Sequence, residues 1–132
     1  MYTKQHLQSY IDTYNNCYNT SFTELTERYS LFPKGDNEYG YTKEWPNNNM
    51  PGVYFVLDQN EELLYIGQSK SLGKRLYNHF PPSSNGCTIK EGEKLKAACY
   101  LYTTSCPKEK PWERLSLEEY LINELNPPRN ER

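Results

Sequence analysis

The stretch "GVYFVLDQNEELLYIG", residues 52–67, decides the fold. Its first half is dense in β-branched and aromatic residues, and "DQNEE" separates it from a second apolar run, "LLYIG". Two such runs around a short polar turn read as an antiparallel hairpin, 52–58 against 63–67. To the right, Ser69 or Ser71 can cap a helix over about 71–80, in which Leu72, Leu76 and Phe80 form the apolar stripe. Pro81-Pro82 stops that helix, because proline cannot continue the hydrogen-bonded ladder. After a Pro/Ser/Asn/Gly loop, "KLKAACYLYTT" (94–104) is the third strand candidate. A last helix runs from about Pro111, well suited to a first turn, to Leu125, where Pro127-Pro128 ends it. To the left, residues 33–51 carry Pro33, Gly35, the Asn47-Asn48-Asn49 run and Pro51, and read as a connector. Before them, Leu7, Tyr10, Ile11 and Tyr14 recur at helical spacing, and Ser21-Phe22-Thr23-Glu24 has the form of a capping box opening a second short helix. The expected fold is α/β of the α+β kind, a small three-stranded antiparallel sheet flanked by helices. Residues 1–50 form a helical extension and connector to a domain at 51–132.

The 132 residues suffice for one domain, and no apolar run approaches the roughly 20 needed to span a bilayer. The N-terminus lacks a signal-peptide pattern, so a cytoplasmic protein with no membrane partner is expected. Cys17, Cys87, Cys99 and Cys106 form no C-x-x-C pair; ordinary reduced thiols are a better reading than a zinc site built on the last three. In such a chain the sequon Asn19-Thr20-Ser21 carries no meaning. The net charge of −2 disfavours indiscriminate nucleic-acid binding, but the charge is unevenly spread. Residues 1–50 hold four Lys/Arg against six Asp/Glu. Residues 68–96 hold six Lys/Arg against two Glu, so an anionic ligand is permitted near mid-chain.

Two helices carry the candidate chemistry. On the last one, Leu115, Leu121, Ile122 and Leu125 define an apolar stripe with Glu118 in its middle. A carboxylate there loses hydration unless it is paired or binds a cation. A salt bridge to Arg or Lys is the ordinary explanation; a site for Mg²⁺ or Mn²⁺ is the functional one. On the helix after "YIG", Arg75 and His79 are neighbours at i, i+4 along the edge of the buried stripe. Arg can grip a phosphate with two parallel hydrogen bonds, and His can carry a proton near neutrality. Either pair of facts alone is unremarkable for a half-exposed helix. Tyr54 and Tyr65 join them only if the hairpin register puts both on one face.

The combined order says more. Gly52-Val53-Tyr54, ten residues, Tyr65-Ile66-Gly67, then Arg75, His79 and Glu118 resemble the GIY-YIG nuclease family, and the sequence is read as a stand-alone prokaryotic or phage-type member. The ending strengthens the resemblance: Glu118, Leu121-Ile122, Pro127 and Asn130 match the family's Glu-x-x-Leu-Ile and the proline and asparagine beyond it. The likeness spans residues 51–130. It implies divalent-metal-dependent hydrolysis of nucleic-acid phosphodiesters, with double-stranded DNA as the expected partner and a homodimer allowed. By that likeness Glu118 holds one ion, Mg²⁺ or Mn²⁺, per site, and Arg75 neutralises charge on the phosphate. Tyr54 orients or deprotonates the attacking water, His79 helps receive the proton, Tyr65 supports the phosphate or water, and Asn130 braces the site. "GVY" for "GIY" is conservative. Gln68 stands where some members carry Lys, which leaves Lys70 or Lys74 to replace that charge beside Gln68 in the substrate-binding region. The alternative is a binding module of the same fold without catalysis.

Overall fold

The computed structural model describes residues 1–35, 37–41, 44–83, 86–90 and 92–130. Along the chain run α1 (Lys4–Tyr18), β1 (Tyr29–Ser30), β2 (Gly52–Leu57), β3 (Leu63–Ser69) and α2 (Leu72–His79). They are followed by β4 (Pro82–Ser83), β5 (Gly86–Cys87), a 3₁₀ turn (Gly92–Leu95), β6 (Tyr100–Ser105) and α3 (Glu113–Leu125). The hairpin β2–β3 forms as expected, and β6 pairs with the other side of β2, giving an antiparallel sheet in the order β1-β6-β2-β3. Directly opposed residues share a face. Tyr54 opposes Gly67 and Val56 opposes Tyr65, so the register puts both tyrosines on the same side.

Each face of the sheet has its own core. On one, α1 and α3 bring Leu7, Ile11, Tyr14, Leu117 and Leu121 onto Val53, Phe55 and Ile66. On the other, α2 and the 3₁₀ turn bring Leu72, Leu76, Phe80 and Leu95 onto Tyr54 and Val56. Cys106 is buried in the first core and Cys87 in the second, so the sheet separates them. No helix among the described residues is long and apolar enough to cross a membrane.

Several local expectations are corrected. No helix opens at Ser21. Thr23 N donates to Ser105 O (2.9 Å) and Thr26 N to Thr103 O (3.0 Å), so the segment lies along the open edge of β6. Unpaired strand groups offer that segment more hydrogen bonds than an isolated short helix could make. Its continuation, β1, makes a fourth strand where three were expected. The third strand begins at Tyr100, not Lys94, because Lys94-Leu95 end the 3₁₀ turn and Lys96 lies in the turn that follows it. α3 begins two residues after Pro111 and buries Arg114, Leu117 and Leu121, whereas Leu115 is exposed. Glu118 therefore sits beside the buried stripe rather than at its centre. Neither serine hydroxyl caps α2: Ser69 Oγ bonds the backbone of Ser71, and Ser71 at the N-cap makes no side-chain bond.

Candidate active site

The start of α2 is held by carbonyls of the connector instead of by a cap. Leu72 N donates to Met50 O (3.0 Å) and Gly73 N to Asn48 O (2.8 Å). A Cβ at Gly73 would overlap Asn48, so this approach needs glycine. With Leu72, Leu76 and Phe80 fully buried, the helix phase turns His79 inward as well. Tyr54 Oη and His79 Nε2 lie 2.8 Å apart in a hydrogen bond, with Tyr54 1% and His79 6% exposed. Gly67 makes this dyad possible. It lies opposite Tyr54 across the hairpin, and a Cβ there would overlap the phenol ring.

Tyr65 is half-buried on the same face, its ring 6.1 Å from that of Tyr54, and is the more accessible phenol. Lys94 Nζ stands 4.6 Å over its ring centroid. Arg75, one turn before His79, is exposed, as are Lys70 and Lys74. Lys74 lines a shallow cleft of about 320 Å³ with Trp45, Asn48 and Tyr77, on a different flank of α2 from Arg75.

The α3 side is organised by Arg114. Its Nε donates to Gln68 Oε1 (2.7 Å) and its Nη1 to Pro111 O, which keeps a guanidinium only 8% exposed satisfied. The bond to Gln68 ties α3, which packs on the sheet face opposite Tyr54 and Tyr65, to the end of β3, while Glu118 itself lines a cleft with Tyr14, Tyr18 and Tyr120. Glu118 is half-buried, and burial pushes its carboxyl above the ordinary range; Arg114 opposes this shift and Glu119 adds to it. Among the described residues Glu118 forms no ion pair, so the salt-bridge explanation for its position finds no partner there. No three His, Cys, Asp or Glu side chains converge among those residues. A single hard carboxylate fits Mg²⁺, which binds through one or two carboxylates and keeps several waters. Asn130 accepts from Ile66 N (2.9 Å) and donates to Ile66 O (2.8 Å), bracing β3 from the chain end.

Residues 50–132 match the family model described as the GIY-YIG catalytic domain. The chain belongs to the GIY-YIG family. UvrABC system protein C of Pseudomonas aeruginosa strain LESB58 is 40% identical over 83 residues, 63% of this chain and 13% of that protein. The same protein of Dichelobacter nodosus is 36% identical over an equal span. The chain thus covers about an eighth of these relatives' length. Among solved structures, the magnesium-bound N-terminal endonuclease domain of UvrC from Thermotoga maritima superposes with a TM-score of 0.51 at 26% identity, covering 68% of this chain and 93% of that one. This is a GIY-YIG endonuclease domain, and the relatives named above are UvrC proteins.

In this GIY-YIG chain, then, Tyr54, Tyr65 and His79 meet on one face, and Arg114 links Gln68 to the Glu118 helix. Sequence reasoning missed Arg114 and Lys94. The first had a signal, its i, i+4 spacing before Glu118. The second had only its place in the cationic run 68–96, because a 3₁₀ turn leaves no periodicity that aims a side chain.

Proposed function

We propose that this chain is a Mg²⁺-dependent endonuclease that hydrolyses phosphodiester bonds of double-stranded DNA in the cytoplasm, with residues 51–132 as the catalytic unit and 1–50 as its helical extension. The buried Tyr54–His79 hydrogen bond carries the reading: a phenol and an imidazole in contact form a path for one proton. Tyr54 Oη takes the proton of the attacking water as its own proton passes to His79 Nε2. The water oxygen bonds to phosphorus, and the bond from phosphorus to the leaving ester oxygen breaks. Arg75, exposed on the same helix, balances the charge that grows on the phosphate oxygens. Tyr65 holds the water or a phosphate oxygen through its hydroxyl. When bound at the Glu118 carboxylate, the divalent cation supplies polarisation of the phosphate and charge for the leaving oxygen.

The relatives favour a UvrC-like endonuclease activity over a phage-type one, and residues 1–49 lie outside the region matched to the family. The test is supercoiled plasmid with Mg²⁺ or EDTA, using wild type and Glu118→Ala. Nicking by wild type with Mg²⁺ alone supports the proposal. DNA binding without metal-dependent nicking would make the chain a binding module instead.

A further inference from the structure

We propose that Lys94, Lys96 and Arg129 form a phosphate subsite beside Tyr65 that grips the substrate backbone flanking the scissile bond; this rests on the nuclease reading above. Two observations converge on it. A cleft of about 400 Å³ is lined by Leu64, Lys94, Lys96, Ala97 and Arg129, which brings three cations together. The cleft adjoins Tyr65, because Lys94, which lines it, holds its Nζ 4.6 Å over that ring.

The backbone presents these cations from two directions. Lys94 and Lys96 come from the 3₁₀ turn and the residues just after it, which Ala98 N closes onto Leu95 O (3.0 Å). Arg129 comes from the chain end, where its N–H donates to Leu64 O (2.9 Å) on the outer edge of β3. Leu64 directly precedes Tyr65. The cations therefore bracket the strand residue next to the catalytic phenol, within a few ångströms of it along β3. A nucleic-acid strand whose reacting phosphate sits at Tyr65 and Arg75 extends a neighbouring phosphate into this cleft. Lys94 has the central place, held over an aromatic face that fixes its otherwise flexible stem.

Deleting one cation that neutralises a phosphate should lower the salt dependence of binding by about one unit of the log–log slope. The test uses fluorescein-labelled duplex DNA with full-length protein in EDTA, on a Glu118→Gln background so that no cleavage intervenes. Binding is followed by anisotropy across a KCl series. Lys94→Ala, Lys96→Ala and Arg129→Ala are compared with Lys108→Ala, an exposed cation outside the cleft. A fall of about one in slope for Lys94→Ala, restored by Lys94→Arg and absent in Lys108→Ala, supports the subsite. In cleavage assays on the unmutated Glu118 chain, KM should rise for the same variants by about five- to tenfold. Slopes unchanged in all three cleft variants, with wild-type binding intact, overturn this inference alone. A chain that binds no DNA in any salt overturns the nuclease reading and the subsite with it.

Discussion

Ionising Glu118 works against the folded chain when no cation is present. Its carboxyl is raised above the ordinary value mainly by burial, and the Arg114 guanidinium one turn away offsets this only in part. A raised folded value means that the neutral form stabilises: the contribution is full below the unfolded value and is lost as pH rises through the folded one. Glu118→Gln, neutral throughout, should therefore raise the metal-free Tm by a few degrees at pH 7.5 and leave it unchanged near pH 3.5. Equal melting curves at both pH values would remove the strain from Glu118. The same substitution should lower cleavage by at least ~10²-fold, the usual loss when a transition-state charge partner is deleted. In wild type, the Mg²⁺ concentration for half-maximal nicking should climb as pH falls through the raised value, because a protonated carboxyl releases its cation. The dyad makes a second demand. Tyr54→Phe leaves His79 Nε2 without this bond inside the fold, which should cost about 1–3 kcal/mol in urea unfolding. Its kcat should fall by roughly 10²–10⁴. A stable Tyr54→Phe chain that cleaves at the wild-type rate would take the dyad out of the mechanism.

Among the elements, β3, which holds the candidate residues Tyr65 and Gln68, is an edge strand. Exposed edges invite pairing with other chains unless something covers them. Here the chain end covers it: Arg129 N donates to Leu64 O, and the Asn130 amide makes both of its bonds to Ile66. Asn130→Ala leaves that N–H and carbonyl open, and the expected cost is about 1–3 kcal/mol, read as a lower urea midpoint at unchanged m. Asn130→Asp should recover less than half, since its carboxylate can accept from Ile66 N but faces the Ile66 carbonyl without a proton to give. Faster amide exchange at Ile66 in Asn130→Ala would locate the effect; exchange as slow as in wild type would show that the edge is held by other contacts. Gly67→Ala belongs to the same strand and should act through Tyr54, whose ring the added methyl would displace. These elements differ in how far the sequence disclosed them. The hairpin, α2 and α3 announce themselves through β-branched and aromatic density, helical spacing and proline stops. The Asn130–Ile66 bonds leave no pattern, because a side chain bonded to a backbone puts no constraint on the type of its partner. The edge segment at Thr23–Thr26 is hidden for a related reason: a capping box is local, while the strand edge that displaces it comes from residues 103–105.

Across the whole molecule, α1 and the family-matched residues share one core. The family model begins at residue 50, yet α1 buries Leu7, Ile11 and Tyr14 in the same core as Val53, Phe55, Leu117 and Leu121. Tyr14 Oη donates to Ser116 Oγ (2.6 Å), and its ring lies 5.0 Å from Tyr120. Tyr14 and Tyr18 also border a cleft of about 810 Å³ that Glu118 lines, so α1 borders the helix that carries the metal candidate. Periodicity discloses α1 itself, but its docking site depends on which side of α3 is buried, and helical spacing alone points to Leu115 where the fold buries Leu117. If α1 and the sheet share one core, a cavity beneath α1 must weaken the whole fold. Ile11→Ala should cost about 2–4 kcal/mol, a large part of the roughly 5–15 kcal/mol that holds a domain of this size. The loss should appear as a single urea transition, seen alike by far-UV ellipticity and by Trp45 and Trp112 fluorescence. In folded Ile11→Ala protein, KM for DNA should stay within about twofold of wild type, because Ile11 packs on the face of the sheet opposite Tyr54. Two separate transitions, with fluorescence unmoved in the first, would show that α1 melts on its own and only leans on the catalytic unit.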